Sequence, residues 1–188
     1  MNILVVFAHP NYNQSVINRR FVEEIKKICV IDFHPLNEMY PDGRIDIHFE
    51  KNALLRADRV VFQFPLHWYN VSPILKNYME NVLNHGFAFG INGDKLKGKE
   101  FLTAITVGGP KEAYQKSDAN SFTMEDFIRP FEQTANLTGM NFRKTYAVYN
   151  ALTLGRENNS SKLTQIAKEF INHITDPYLD PSMRRNVS

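Results

Sequence analysis

The chain has 188 residues, 22% of them charged, and a formal net charge of +2. This length supports one domain with a sizeable core, and the charge is too small and too evenly spread for a nucleic-acid or anionic-membrane surface. The single cysteine, Cys29, excludes an internal disulfide framework and reads as a small buried hydrophobe near the end of the first helix.

In chain order, Ile3 to Phe7 is a β-branched run suited to a buried parallel strand, and Met1 to Phe7 reads as strand rather than signal peptide. A polar loop from His9 to Gln14 leads to Ser15, a natural N-cap. Ile17, Phe21, Ile25 and Ile28 then mark one face of a helix. Val30 to Phe33 forms a second strand, Tyr40-Pro41-Asp42-Gly43 a turn, and Glu50 to Ala57 a short helix. Val60 to Phe64 is the third strand, and Ser72-Pro73 opens a helix that runs to about Asn84. Phe101 to Val107 is the fourth strand, ending at Gly108-Gly109-Pro110. A helix starts at Thr123 with Glu125 and Asp126 in its first turn, is kinked by Pro130 and ends at Gly139. Tyr146 to Tyr149 belongs to a fifth strand, and Leu163, Ile166, Phe170, Ile171 and Ile174 line a last amphipathic helix.

Strands alternating with helices predict an α/β fold with helices on both faces of a five-stranded parallel sheet, in the flavodoxin-like order 2-1-3-4-5. Residues 1–176 form the single domain and 177–188 a tail. No apolar run approaches the ~18 residues of a membrane helix, so a cytoplasmic protein is expected. Gly93-Asp94-Lys95-Leu96-Lys97-Gly98-Lys99 imitates a P-loop, but Glu100 stands where Ser or Thr is needed and a strand follows instead of a helix. Neither a dinucleotide G-x-G-x-x-G nor a nucleophile elbow occurs, and no histidine pairs with Cys or acid at metal-ligand spacing.

The switch point of such a sheet lies between strands one and three, and three loops meet there. The first brings His9 and the start of a helix at Ser15, Val16, Ile17 and Asn18, whose amides and dipole favour an anion such as phosphate. The second, Pro65-Leu66-His67-Trp68-Tyr69, is stiffened by proline and offers a wall for a planar ring, with its amides facing ring heteroatoms. The third, Thr106-Val107-Gly108-Gly109, lets the main chain come close to a ligand. Together they suit a phosphorylated flat heterocycle, meaning a flavin.

These residues resemble a known family. Ala8-His9-Pro10, Ser15 to Asn18, Tyr40-Pro41-Asp42, Ala57-Asp58, Gln63 to Tyr69 and Thr106 to Pro110 are similar to the flavodoxin-like NAD(P)H:quinone oxidoreductases, and most to their short bacterial branch. That branch includes the ancillary oxidoreductase of glutathione-regulated potassium efflux and the general-stress reductases. The resemblance implies a tightly held FMN (or FAD), NAD(P)H as hydride donor, ping-pong transfer through flavin N5 to a quinone or similar acceptor, and a homodimer with active sites at the subunit interface. It also implies a catalytic role for Tyr114, while Asn120 occupies the position where the longer animal enzymes carry a proton-relay histidine. Phe87, Phe89 and Phe122 are further candidates for the pocket or dimer face. Two other classes stay open: a flavodoxin-type electron carrier, which the slightly basic charge disfavours, and a regulatory subunit on a potassium-efflux channel.

Overall fold

Residue alternation along the strands divides the core into two layers. In β1 (Ile3–Phe7), Ile3, Val5 and Phe7 face one side of the sheet and Leu4 and Val6 the other. In β3 (Arg59–Pro65), Val60, Phe62 and Phe64 join the second group and Val61 the first. Both faces must therefore be covered, as parallel sheets require. The computed structural model describes residues 1–116 and 121–181. On one face lie α1 (Val16–Ile25), α6 (Ala151–Glu157) and α7 (Ser160–Thr175), with Phe21 stacked on Phe170 at 4.3 Å. On the other lie α3 (Ile47–Arg56), α4 (Pro73–Val82) and α5 (Met124–Thr138). No helix among the described residues is long and apolar enough to cross a membrane.

All strand pairings are parallel, and the order is β2-β1-β3-β4-β5, as the sequence predicts, with β2 at Ile31–Pro35 and β4 at Glu100–Thr106. The fifth position is divided, which the sequence reading did not anticipate. β5 (Asn141–Phe142) and β6 (Tyr146–Val148) both pair β4, so the sheet has six strands. Phe101 pairs Phe142 and Ala104 pairs Tyr146, so Arg143, Lys144 and Thr145 stand opposite only Leu102 and Thr103. The extra residue is a bulge, pinned by a 2.8 Å hydrogen bond between the Thr103 and Thr145 hydroxyls.

Several boundaries move. α1 stops at Ile25, and Cys29 lies in the following turn, exposed rather than buried. α3 starts at Ile47, capped by Asp46, whose carboxylate accepts from the Phe49 amide at 2.9 Å. A one-turn helix, α2 (Leu36–Met39), occupies chain read as loop. α5 has the expected ends: Thr123 and Asp126 form a reciprocal capping box, and Gly139 adopts a left-handed φ of 70°. It runs unbroken through Pro130, which costs one ladder bond on an exposed face. The P-loop imitation forms turns leading into β4, with Lys97 N donating to Asp94 O.

The amino edge of the sheet is closed by a buried ion cluster. Arg59 has no solvent exposure and donates to Glu100 Oε2 at 2.7 Å and to the Ile174 and Asp176 carbonyls, both at 2.7 Å. Glu100 also accepts from Arg143 at 2.8 Å. The end of α7 is thereby fixed to β3 and β4, and the following chain packs on, with Leu179 buried and Lys144 N donating to Asp180 O. Glu100→Gln leaves the Arg59 charge without its counter-ion, and a loss of about 3 kcal/mol in stability is expected. A urea unfolding midpoint within error of wild type would refute this role for Glu100.

Candidate functional site

The first loop ends in a short 3-10 turn, Tyr12–Gln14, that delivers Ser15 to the start of α1. Ser15 Oγ accepts from the Asn18 amide at 3.3 Å. The amides of Val16 and Ile17 have no acceptor within the helix, so this end favours an anion. Ile17 packs its side chain in the core against α7, which leaves only its amide for a ligand. His9 Nδ1 accepts from the Asn11 amide at 3.1 Å, so the ring proton of a neutral His9 sits on Nε2. Burial, aided by the nearby His67 ring, pushes the His9 pKa down to about 4. His9 is therefore a neutral donor at physiological pH.

Beneath this loop lies a polar layer inside the fold. Asn18, expected as a flavin contact, is 1% exposed, and its side chain is engaged within the fold. Its Nδ2 donates to Ser15 Oγ and to Thr106 Oγ1, both at 3.0 Å. Its Oδ1 accepts from Gln63 Nε2 at 3.4 Å. The ends of β3 and β4 are thus joined to the first turn of α1.

In the second loop, two of the amides assigned to a ligand are used by the chain itself. Leu66 N donates to Thr106 O and His67 N to Pro65 O, both at 2.9 Å. Trp68 and Tyr69 then take left-handed φ values of 49° and 61°, and Asn70 N closes the turn on His67 O at 3.0 Å. Consecutive left-handed residues are the signature of a type I′ turn, normally left to Asn and Gly, and two aromatic residues there carry backbone strain. The turn sends the two rings in different directions. Tyr69 stacks on Phe127 at 5.2 Å, whereas Trp68 is 94% exposed.

The third loop is held from behind. Val107 N donates to Val148 O, Ala151 N to Val107 O and Asn150 N to Gly109 O, all within 2.9 Å. Neither Gly108 nor Gly109 has a left-handed φ; their use is space. A Cβ on Gly108 would press on Leu152 at 3.2 Å, and one on Gly109 would touch the Tyr114 ring at 3.6 Å. Tyr114 therefore lies directly against the loop, with Phe127 and Tyr149 ring centroids 6.0 and 5.8 Å away. Burial, with help from Glu125 and Tyr114, raises the Tyr149 pKa to about 12.

Phe122 is exposed beside this cluster, 6.3 Å from Phe127 between ring centroids. Phe87 is core, under the Lys51 ammonium, and Phe89 packs against the same core. Asn120 lies outside the described residues. A cavity of ≈ 490 Å³ opens between β6, α6 and α7 and reaches Val148 and Asn150, which hold the third loop from behind. The sequence reading passed over Phe127, Tyr149, Asn150 and the structural part of Gln63. The polar Gln63 inside the apolar run Val60 to Phe64 was the available signal.

A depressed imidazole pKa favours the fold above the ordinary value of 6.5, and that contribution is lost as pH falls towards about 4. In the apoprotein, NMR titration is expected to place the His9 midpoint near 4 and the pH dependence of stability between 4 and 6.5 should flatten in His9→Gln. A midpoint at the ordinary value would refute the buried, neutral state.

A family model described as flavodoxin-like fold matches residues 1–174. Among curated proteins, the uncharacterized NAD(P)H oxidoreductase YdeQ of Bacillus subtilis (strain 168) is 38% identical over 184 residues, covering 98% of this chain and 91% of YdeQ. General stress protein 14 of Treponema denticola, solved in complex with FMN, is 28% identical with a TM-score of 0.83, covering 91% of this chain and 96% of that one. An NADPH-quinone reductase of P. pentosaceus is 29% identical with a TM-score of 0.84, covering 94% and 99%. Parallel order, switch-point loops and these likenesses agree, and the chain belongs to the flavodoxin-like fold family, in the group that includes NAD(P)H oxidoreductases and quinone reductases.

Proposed function

We propose that this protein is a cytoplasmic FMN-dependent NAD(P)H oxidoreductase that reduces a quinone or similar small acceptor by two electrons. The observation that carries the reading is the donor set at the meeting point of the loops after β1, β3 and β4. The open first turn of α1, the Ser15 hydroxyl and the neutral His9 Nε2–H all offer protons to an anion. Beside them stand an aromatic turn at Trp68 and Tyr69 and the loop Thr106–Gly109. A phosphate on one side and a planar ring on the other match FMN in chemistry. The FMN bound to the Treponema denticola relative and the names of the NAD(P)H oxidoreductase and quinone reductase relatives support the same choice.

When bound, FMN would supply the redox chemistry, a two-electron hydride exchange at N5 between NAD(P)H and the acceptor, of ping-pong type. The chain supplies binding and orientation. Ser15, His9 and the amides of Val16 and Ile17 would hold the phosphate. Pro65 to Tyr69 and Thr106 to Gly109 would border the ring. Tyr114, packed against Gly109, would hold a proton at a ring oxygen, so it is assigned as the catalytic donor. The exposed apolar side chains of Trp68, Phe122 and Leu152 surround this edge, which supports a homodimer that covers them.

The purified protein is expected to show flavin bands near ~450 nm that bleach anaerobically on adding NADPH or NADH and return on adding a quinone. Bleaching that requires a separate reductase would identify an electron carrier instead. A colourless protein that takes up no added FMN would remove the reading. Tyr114→Phe should keep its flavin and lose at least about tenfold in turnover, within the range of general-acid contributions. Unchanged turnover would take Tyr114 out of the chemistry.

A further inference from the structure

We propose that Gln63 is a positioning residue for phosphate binding: it holds Asn18 in the orientation that turns the Ser15 hydroxyl proton outward. The inference rests on the phosphate end of the FMN reading above. Gln63 is 1% exposed at the carboxyl end of β3, on the side of the sheet covered by α1. Its side-chain amide reaches the ligand site through Asn18, while its carbonyl accepts from the Ala8 amide at 2.9 Å.

A primary amide fits such a position either way round, and the two ways have opposite consequences. With Nδ2 towards Ser15 and Thr106, both hydroxyl oxygens accept, and their protons remain to be donated elsewhere. With Oδ1 there instead, both hydroxyls would donate inward. Ser15 Oγ already accepts from the Asn18 backbone and from Asn18 Nδ2, so its remaining capacity is as a donor. Gln63 Nε2 points its proton at Asn18 Oδ1 and so selects the first arrangement.

Gln63 gives this direction to the network at its own expense. Its Oε1 is buried and has no hydrogen-bond partner. Buried polar atoms without partners are costly. A side chain present only for packing would leave no such orphan, and Met fills nearly the same volume. The orphan is explained if the amide is there for its donor.

The test compares FMN with riboflavin, which has the same ring and polyol but no phosphate, by quenching of flavin fluorescence on titration into apoprotein. Wild type is expected to prefer FMN. Gln63→Met is expected to lose about tenfold in FMN affinity, the size of one charge-assisted hydrogen bond, with riboflavin affinity unchanged. The unfolding temperature of the apoprotein should stay within about 2 °C of wild type. In a Ser15→Ala background the same substitution should cost nothing further. Gln63→Glu, which keeps size and polarity, should lose FMN preference at neutral pH and regain it on acidification, when the introduced carboxyl can donate.

Equal weakening of FMN and riboflavin would make Gln63 merely structural and overturn the proposal. So would a full FMN preference retained in both Gln63 variants, which would leave the FMN reading itself intact. Wild type that binds both flavins alike would overturn the positioning role together with the phosphate reading.

Discussion

The side-chain amide of Asn18 is the interaction on which the candidate site depends. A parallel sheet leaves its strand ends as separate loops, and nothing in the sheet ladder holds the start of a helix over them. Asn18 does so through hydrogen bonds to Ser15, Thr106 and Gln63, which belong to α1, β4 and β3. In a low-dielectric interior such bonds are strong and directional, and they specify one arrangement. The first turn of α1 and the ends of β3 and β4 are held together because they share this single polar node.

The two edges of the sheet are closed by different chemistry. The amino edge uses full charges, with Arg59, Glu100 and Arg143 locking the end of α7 and the chain beyond it. The carboxyl edge uses neutral amides and hydroxyls, and His9 there is kept uncharged by burial. The proposed FMN site would gain from this, since fixed neutral donors can serve an anion without a competing counter-ion. The strained turn at Trp68 and Tyr69 belongs to the same edge. Its cost is offset by packing on one side, where Tyr69 meets Phe127, while Trp68 is left facing outward. Strain of this kind concentrates at functional sites.

Much of this was legible in the residues. The alternation of apolar runs with helical periodicity determined a doubly wound sheet and its strand order, because few topologies bury both faces of such strands. The cap at Ser15, the proline at the start of α4 and the Thr123 and Gly139 ends of α5 are local devices, and local sequence was enough to place them. The positions of the three switch-point loops followed from strand order alone. Only the tertiary structure could show that Asn18 faces inward and Trp68 outward. A side chain's exposure depends on which other elements lie against it, and a left-handed turn rotates a ring by an amount no periodicity reveals. The same holds for the bulge between β5 and β6 and for Gln63. Their partners, Thr103 and Asn18, are some forty or more residues away in the chain, so their meaning arises only once the sheet has brought distant segments into contact.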